Sequence, residues 1–237
     1  MTALDPRRRL AFALDYPDLA TAREGATRVR DAVGVLKIGL ELFVREGPQA
    51  VGLGRELGCD VFLDLKLHDI PETVDRAVAS ALAHGVRYLT LHAAGGRRML
   101  EAAARRVEGT PLTLLAVTVL TSLDAADLAD IGVGADPGAQ AARLATLARD
   151  AGVGGLVCSA SEVGALRRLL GPAAVLVTPG IRPAAGGADD QKRVGTPRDA
   201  IRDGSSLLVV GRPIRDARDP LAAARAICSE IADAERA

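Results

Sequence analysis

Short apolar runs alternate with amphipathic stretches along the chain. The runs at 10–14, 35–42, 61–67, 88–93, 112–120, 155–160, 175–181 and 207–210 have the length and residue types of β-strands. Between them the apolar positions fall into helical spacing, as in Val74, Ala77, Val78, Ala81 and Leu82, or Leu221, Ala224, Ile227, Cys228 and Ile231. Asp or Pro often opens these stretches, as expected of a first helical turn. Eight strand–helix units in 237 residues leave about 30 residues per unit, the size of a (β/α)8 TIM barrel occupying 1–237 as a single domain. An open, doubly wound α/β sheet is the alternative, but it calls for a glycine fingerprint opening the first helix. Asp15, Tyr16, Pro17 and Asp18 offer no glycine there.

A barrel carries its chemistry at the C-terminal strand ends and the loops that follow. In 61–67 the twofold period puts Val61, Leu63, Leu65 and Leu67 on one face and Phe62, Asp64 and Lys66 on the other. With the apolar face packed on helices, Asp64 and Lys66 point into the barrel mouth. The second run adds Lys37, the first ends in Asp15, and Asp69 follows the third. Taken alone, Asp69 reads as a helix cap, forming a capping box with Glu72 at the start of a helix near Pro71. As a group the charges point to function, because desolvating several ions is costly and at best neutral for stability.

A second constellation has the form of a phosphate site. Pro179, Gly180, Ile181 and Arg182 end the seventh run, Gly211 and Arg212 end the eighth, and Gln191 lies in the loop between. Glycines there admit backbone N–H groups and a guanidinium forks onto phosphate oxygens. The polar loop 182–196, with Pro183, Gly186 and Gly187, is a candidate lid.

Composition narrows the partners. Thirty basic and 30 acidic side chains cancel, and three Phe, two Tyr and no Trp provide little stacking surface, so nucleic acid is not an expected partner. No apolar run approaches a membrane span, and Arg7, Arg8 and Arg9 precede too short a run for a signal peptide. Cys59, Cys158 and Cys228 suit neither a disulfide framework nor a zinc ribbon, which points to the reducing cytoplasm. Three lysines stand against 27 arginines, and Asn is absent, as in proteins from GC-rich genomes. Lys37, Lys66 and Lys192 are therefore candidates for work a guanidinium cannot do, such as releasing a proton. His68, His84 and His92 lack metal-ligand spacing; His84 reads as helix surface and His92 as a core histidine near the fourth strand's end. No metal is expected.

The segment Asp64-Leu65-Lys66-Leu67-His68-Asp69-Ile70-Pro71-Glu72-Thr73 resembles the Asp-x-Lys-x-x-Asp-Ile-Pro-x-Thr signature of the orotidine 5′-phosphate decarboxylase family. The similarity extends through Phe12-Ala13-Leu14-Asp15, Leu36-Lys37-Ile38-Gly39, Leu91-His92-Ala93-Ala94, Val117-Thr118-Val119-Leu120-Thr121-Ser122, Val177-Thr178-Pro179-Gly180-Ile181-Arg182, Asp190-Gln191-Lys192-Arg193-Val194 and Val210-Gly211-Arg212-Pro213-Ile214. This resemblance implies cofactor-free decarboxylation of orotidine 5′-monophosphate to UMP. Lys66 would protonate C6, with Lys37, Asp64 and Asp69 completing the charged array. Asp15 and Lys37 would hold ribose hydroxyls, Thr121 the pyrimidine edge, and Arg182, Gln191, Gly211 and Arg212 the 5′-phosphate, with Pro179 beside the substrate. In a homodimer, Asp69, Ile70 and Thr73 would reach the neighbouring site.

Two other readings compete. A related barrel group acts on sugar phosphates with bound Mg²⁺ and shares the Asp-x-Lys-x-x-Asp core, but it carries Glu where Lys37 stands. A hard cation needs carboxylate oxygens, so Lys37 argues against it. A catalytically silent nucleotide-binding protein is disfavoured because the charged array is complete.

Overall fold

Each strand pairs in parallel with the next and the last pairs with the first, so the sheet closes on itself. The computed structural model describes residues 5–134, 136–183 and 195–236. The strands are β1 (Leu10–Ala13), β2 (Val35–Ile38), β3 (Asp60–Leu67), β4 (Tyr88–His92), β5 (Thr113–Val117), β6 (Gly155–Val157), β7 (Val175–Thr178) and β8 (Leu207–Val210). The helices are α1 (Leu19–Val29), α2 (Leu40–Glu46), α3 (Gly52–Leu57), α4 (Pro71–Ala83), α5 (Arg97–Val107), α6 (Ala125–Asp130), α7 (Pro137–Asp150), α8 (Val163–Leu170), α9 (Pro197–Arg202), α10 (Arg212–Arg215) and α11 (Pro220–Arg236). The expected TIM barrel is borne out, and the open-sheet alternative is not.

Strand side chains divide into two apolar sets. Ala11, Ala13, Val35, Phe62, Leu115, Val177, Leu207 and Val209 fill the barrel interior. Leu10, Phe12, Leu14, Leu36, Ile38, Val61 and Leu63 point outward into the larger core under the helices. Both faces are buried, which is why the runs read as nearly continuous hydrophobics. At Gly155 the walls come so close that a Cβ would lie 2.4 Å from the Val175 carbonyl oxygen, so only glycine fits.

Several strands stop earlier than the apolar runs. The run 35–42 is strand only to Ile38, because Gly39 occupies the N-cap position of α2 and Leu40 begins that helix. Similarly, the runs 112–120, 155–160 and 175–181 end as strand at Val117, Val157 and Thr178. Beyond those ends Thr118, Val119, Cys158, Ser159 and Ile181 stay buried although they lie outside the strands.

The capping box expected at α4 is absent. Ile70 is the N-cap residue and makes no side-chain cap bond, while Pro71 fills the first turn. The Asp69 carboxylate accepts the Ile70 N–H at 2.6 Å, and Glu72 pairs with Arg76 one turn along. Proline needs no donor partner at that position, so α4 can start without a side-chain cap. Val74, Val78 and Ala81 anchor its buried face.

Of the candidate lid 182–196, residues 184–194 lie outside the described residues. Its two stems are joined: Ile181 and Gly195 form a parallel bridge, and the Arg182 N–H donates to the Gly195 carbonyl at 2.9 Å.

Candidate active site

The C-terminal strand ends surround a cavity of about 260 Å³. One wall is charged. The Lys66 ammonium lies 2.9 Å from each Asp64 carboxylate oxygen. Lys37 Nζ lies 3.8 Å from Asp64 Oδ2 and 3.3 Å from Asp15 Oδ1. Sign therefore alternates along Asp15, Lys37, Asp64 and Lys66, so each inner charge is flanked by its opposite. Gly39 leaves room for this packing, since a Cβ there would stand 3.1 Å from Lys37 Nζ.

Asp64 stays ionised despite its surroundings. Burial pushes its pKa up, but the Lys37 and Lys66 ammoniums, with hydrogen bonds from Lys66 and Thr90, outweigh that and leave it below the ordinary carboxylate value. The His92 pKa is lowered as well: burial first, then the neighbouring His68 and Lys66, lower it against a weaker pull from Asp64. The two imidazole rings stand 5.5 Å apart.

The local geometry of β3 departs from simple alternation. Leu63 pairs with Leu89 and Leu67 with Leu91, so the longer step on β3 matches a shorter one on β4 and the strand bulges between. Within the bulge Lys66 has φ of 51°, and it is the one non-glycine residue with positive φ among those described. A Cβ-bearing residue is strained there, and such strain concentrates at functional sites.

Another part of the lining is apolar, formed by Val117, Val119, Leu120, Val157, Cys158 and Val209, with Phe62 also lining the cavity. Thr121, Pro179, Gly180, Arg182, Gly211 and Arg212 complete the lining. The cavity therefore combines two cations suited to an anion, an apolar wall suited to a flat ring, and an ammonium–carboxylate array facing both.

Most of the residues singled out in the sequence meet here. Asp15, Lys37, Asp64, Lys66, Thr121, Pro179, Arg182, Gly211 and Arg212 line the cavity. Asp69, Ile70 and Thr73 are exposed and are not among its lining residues. Gln191 lies outside the described residues. Two neighbours of the array escaped the sequence reading. Thr90, fully buried, accepts the Lys66 N–H and donates to Asp64. Arg215 donates to the Asp15 carbonyl at 3.0 Å. A threonine between two leucines in the middle of a strand was a usable signal for Thr90; Arg215 had none among so many arginines.

The family profile of the Orotidine 5′-phosphate decarboxylase / HUMPS family matches residues 8–227. The chain belongs to this family. It is 54% identical over 228 residues to the orotidine 5′-phosphate decarboxylase of Anaeromyxobacter sp. (strain K), covering 96% of this chain and 100% of that protein. Against the Chromohalobacter salexigens enzyme of the same name it is 50% identical over 226 residues, covering 94% and 96%. The crystal structure of orotidine 5′-phosphate decarboxylase from Lactobacillus acidophilus superposes with a TM-score of 0.83 at 35% identity, covering 94% of this chain and 99% of that one. Family members at this similarity share the barrel, so the resemblance carried by the Asp64–Thr73 signature is borne out over nearly the full length.

Proposed function

We propose that this chain decarboxylates orotidine 5′-monophosphate to UMP in pyrimidine biosynthesis, with Lys66 delivering the proton to C6. The observation that carries the mechanism is the Lys66 ammonium held 2.9 Å from both Asp64 oxygens in a cavity also lined by Arg182 and Arg212.

Arg182, Arg212 and the Gly211 backbone hold the 5′-phosphate, joined by Gln191 on the strength of the family resemblance. Asp15 and Lys37 hold the ribose hydroxyls; Thr121 reaches the pyrimidine edge and Pro179 flanks it. The ring then lies on the apolar wall with its C6 carboxylate directed toward Asp64 and Lys66. The bond from C6 to the carboxylate breaks, its electron pair stays on C6, and CO₂ leaves. Lys66 gives a proton to that carbon and becomes a neutral amine, to be reprotonated from water. No cofactor delocalises the carbanion, so fixed positive charge must stabilise it. One preorganised donor in such a site is worth about 3–4 kcal/mol. Repulsion between Asp64 and the substrate carboxylate adds to this by disfavouring the ground state. Phosphate binding remote from C6 contributes energy that the reacting centre can use.

The whole chain, 1–237, acts as one catalytic domain, and two copies form the working unit. Asp69, Ile70 and Thr73 are exposed beyond the end of β3, and Ile70, an apolar side chain, is 65% exposed. In a homodimer these residues reach the neighbouring site, where Asp69 completes the charged array. The cytoplasm is the proposed compartment. Its reducing conditions suit three free thiols, of which burial pushes the Cys158 pKa far up. No helix among the described residues is long and apolar enough to cross a membrane.

The Mg²⁺-dependent sugar-phosphate chemistry found within the same broad family fits less well. Lys37 Nζ stands between Asp15 and Asp64, occupying the space in which those carboxylates would face a hard cation. The test is UMP formation by Lys66→Ala and Lys66→Arg. Both should be nearly inactive while still binding UMP, because a guanidinium does not release its proton. An active Lys66→Arg enzyme would overturn the proton-donor role.

A further inference from the structure

We infer that Thr90 is a positioning residue for the reaction, a single hydroxyl that sets both the backbone of Lys66 and the carboxylate of Asp64. The inference rests on the proposed role of Lys66.

Thr90 lies in β4, opposite the bulge of β3, and is fully buried. Its Oγ1 accepts the Lys66 N–H at 2.9 Å and stands 2.9 Å from Asp64 Oδ1. The direction of both bonds is forced. A backbone N–H can only donate and an ionised carboxylate can only accept, so the hydroxyl's one proton goes to Asp64 and a lone pair takes Lys66. The bulge removes Lys66 from the regular ladder, and its amide finds this side-chain acceptor instead of a strand carbonyl. Thr90 thus satisfies the donor exposed by the left-handed conformation at φ of 51°.

The same hydroxyl fixes Asp64, which in turn grips the Lys66 ammonium through both oxygens. Backbone and side-chain tip of the proton donor are therefore tied to one oxygen atom on the neighbouring strand. A substrate-binding role does not account for this arrangement, since Thr90 is absent from the cavity lining. Its effect must pass through Lys66 and Asp64.

The decisive comparison is Thr90→Val with Thr90→Ser. Valine keeps the branched shape and loses both hydrogen bonds; serine keeps the hydroxyl and loses a methyl group. Thr90→Val should lower kcat by about 10²-fold, the scale of a misplacement near 1 Å, while the Kd for UMP, which lacks the C6 carboxylate, stays close to wild type. Thr90→Ser should remain much closer to wild type in kcat. A merely structural threonine would lower the yield of folded enzyme without this split between kcat and UMP affinity. If Thr90→Val does not fold, Thr90→Ala against Thr90→Ser makes the same hydroxyl comparison. Equal kcat in the variants with and without the hydroxyl, or loss of UMP binding in step with kcat, overturns the proposal. Lys66→Ala is measured alongside: if it turns over normally, the proton-donor reading fails, whereas its inactivity together with an unimpaired Thr90→Val defeats the positioning role alone.

Discussion

If the left-handed backbone of Lys66 is strained, glycine should be better tolerated there than alanine, reversing the usual order in a strand. The perturbation is the pair Lys66→Gly and Lys66→Ala. Both remove the ammonium and leave Asp64 with the same remaining partners, Lys37 and Thr90, so the ionic loss cancels in the comparison. What differs is the Cβ at φ of 51°. In ordinary strand geometry glycine is less stable than alanine by about 0.5–1 kcal/mol, mainly through unfolded-state entropy. Left-handed geometry charges a Cβ-bearing residue about 1–2 kcal/mol that glycine avoids. The balance favours Lys66→Gly by roughly 0.5–1 kcal/mol, or about 1–4 °C in Tm for a chain of this size. Urea unfolding at one fixed protein concentration measures the difference without confounding it with assembly. A Lys66→Gly enzyme that is less stable than Lys66→Ala would refute the strain argument.

Two further outcomes follow from the proposed site. Arg212→Ala should reduce kcat/KM heavily on orotidine 5′-monophosphate and little on orotidine, which lacks the phosphate; equal losses on both substrates would remove Arg212 from the phosphate site. Mixing inactive Asp69→Ala chains with inactive Lys66→Ala chains should restore roughly a quarter of wild-type activity per site if Asp69 crosses between subunits, since about half the exchanged dimers are hybrid and each hybrid has one intact site. No recovery would mean that Asp69 acts within its own chain or not at all.

The barrel was legible because its strands are buried on both faces and its helices on one, two patterns that differ in period. Strand ends were less so: Leu40 and Val119 continue apolar runs after the strands have ended, Leu40 as the exposed first residue of α2 and Val119 as a buried loop residue, and a buried loop position requires the same side chains as a sheet. The charged array was legible through rarity, since lysine is scarce in this chain and acidic residues rarely enter strands. The bulge in β3 was invisible to periodicity. Val61, Leu63, Leu65 and Leu67 still alternate in sequence, but the register slips between Leu63 and Leu67. Nothing in a lysine's identity announces a positive φ, and a threonine in another strand supplies the acceptor that makes it tolerable. Likewise Asp69 beside Glu72 had the spacing of a capping box, yet the proline-led start of α4 made that cap unnecessary.

The resting geometry also bears on how Lys66 can serve as a proton donor while bound so closely to a base. An ammonium has three N–H bonds, and the two Asp64 oxygens engage at most two of them at 2.9 Å. The third remains available for the cavity that Lys66 lines. The proposed donor can therefore keep its grip on Asp64 while presenting a proton to a carbon in that space. Asp64 has no competing claim on the proton, because the shift that holds its pKa below the ordinary carboxylate value keeps it ionised. A basic carbanion at C6 is a far stronger acceptor than such a carboxylate. In the proposed reaction, proton transfer would then run toward carbon once CO₂ has left, without Lys66 first having to break its ion pair.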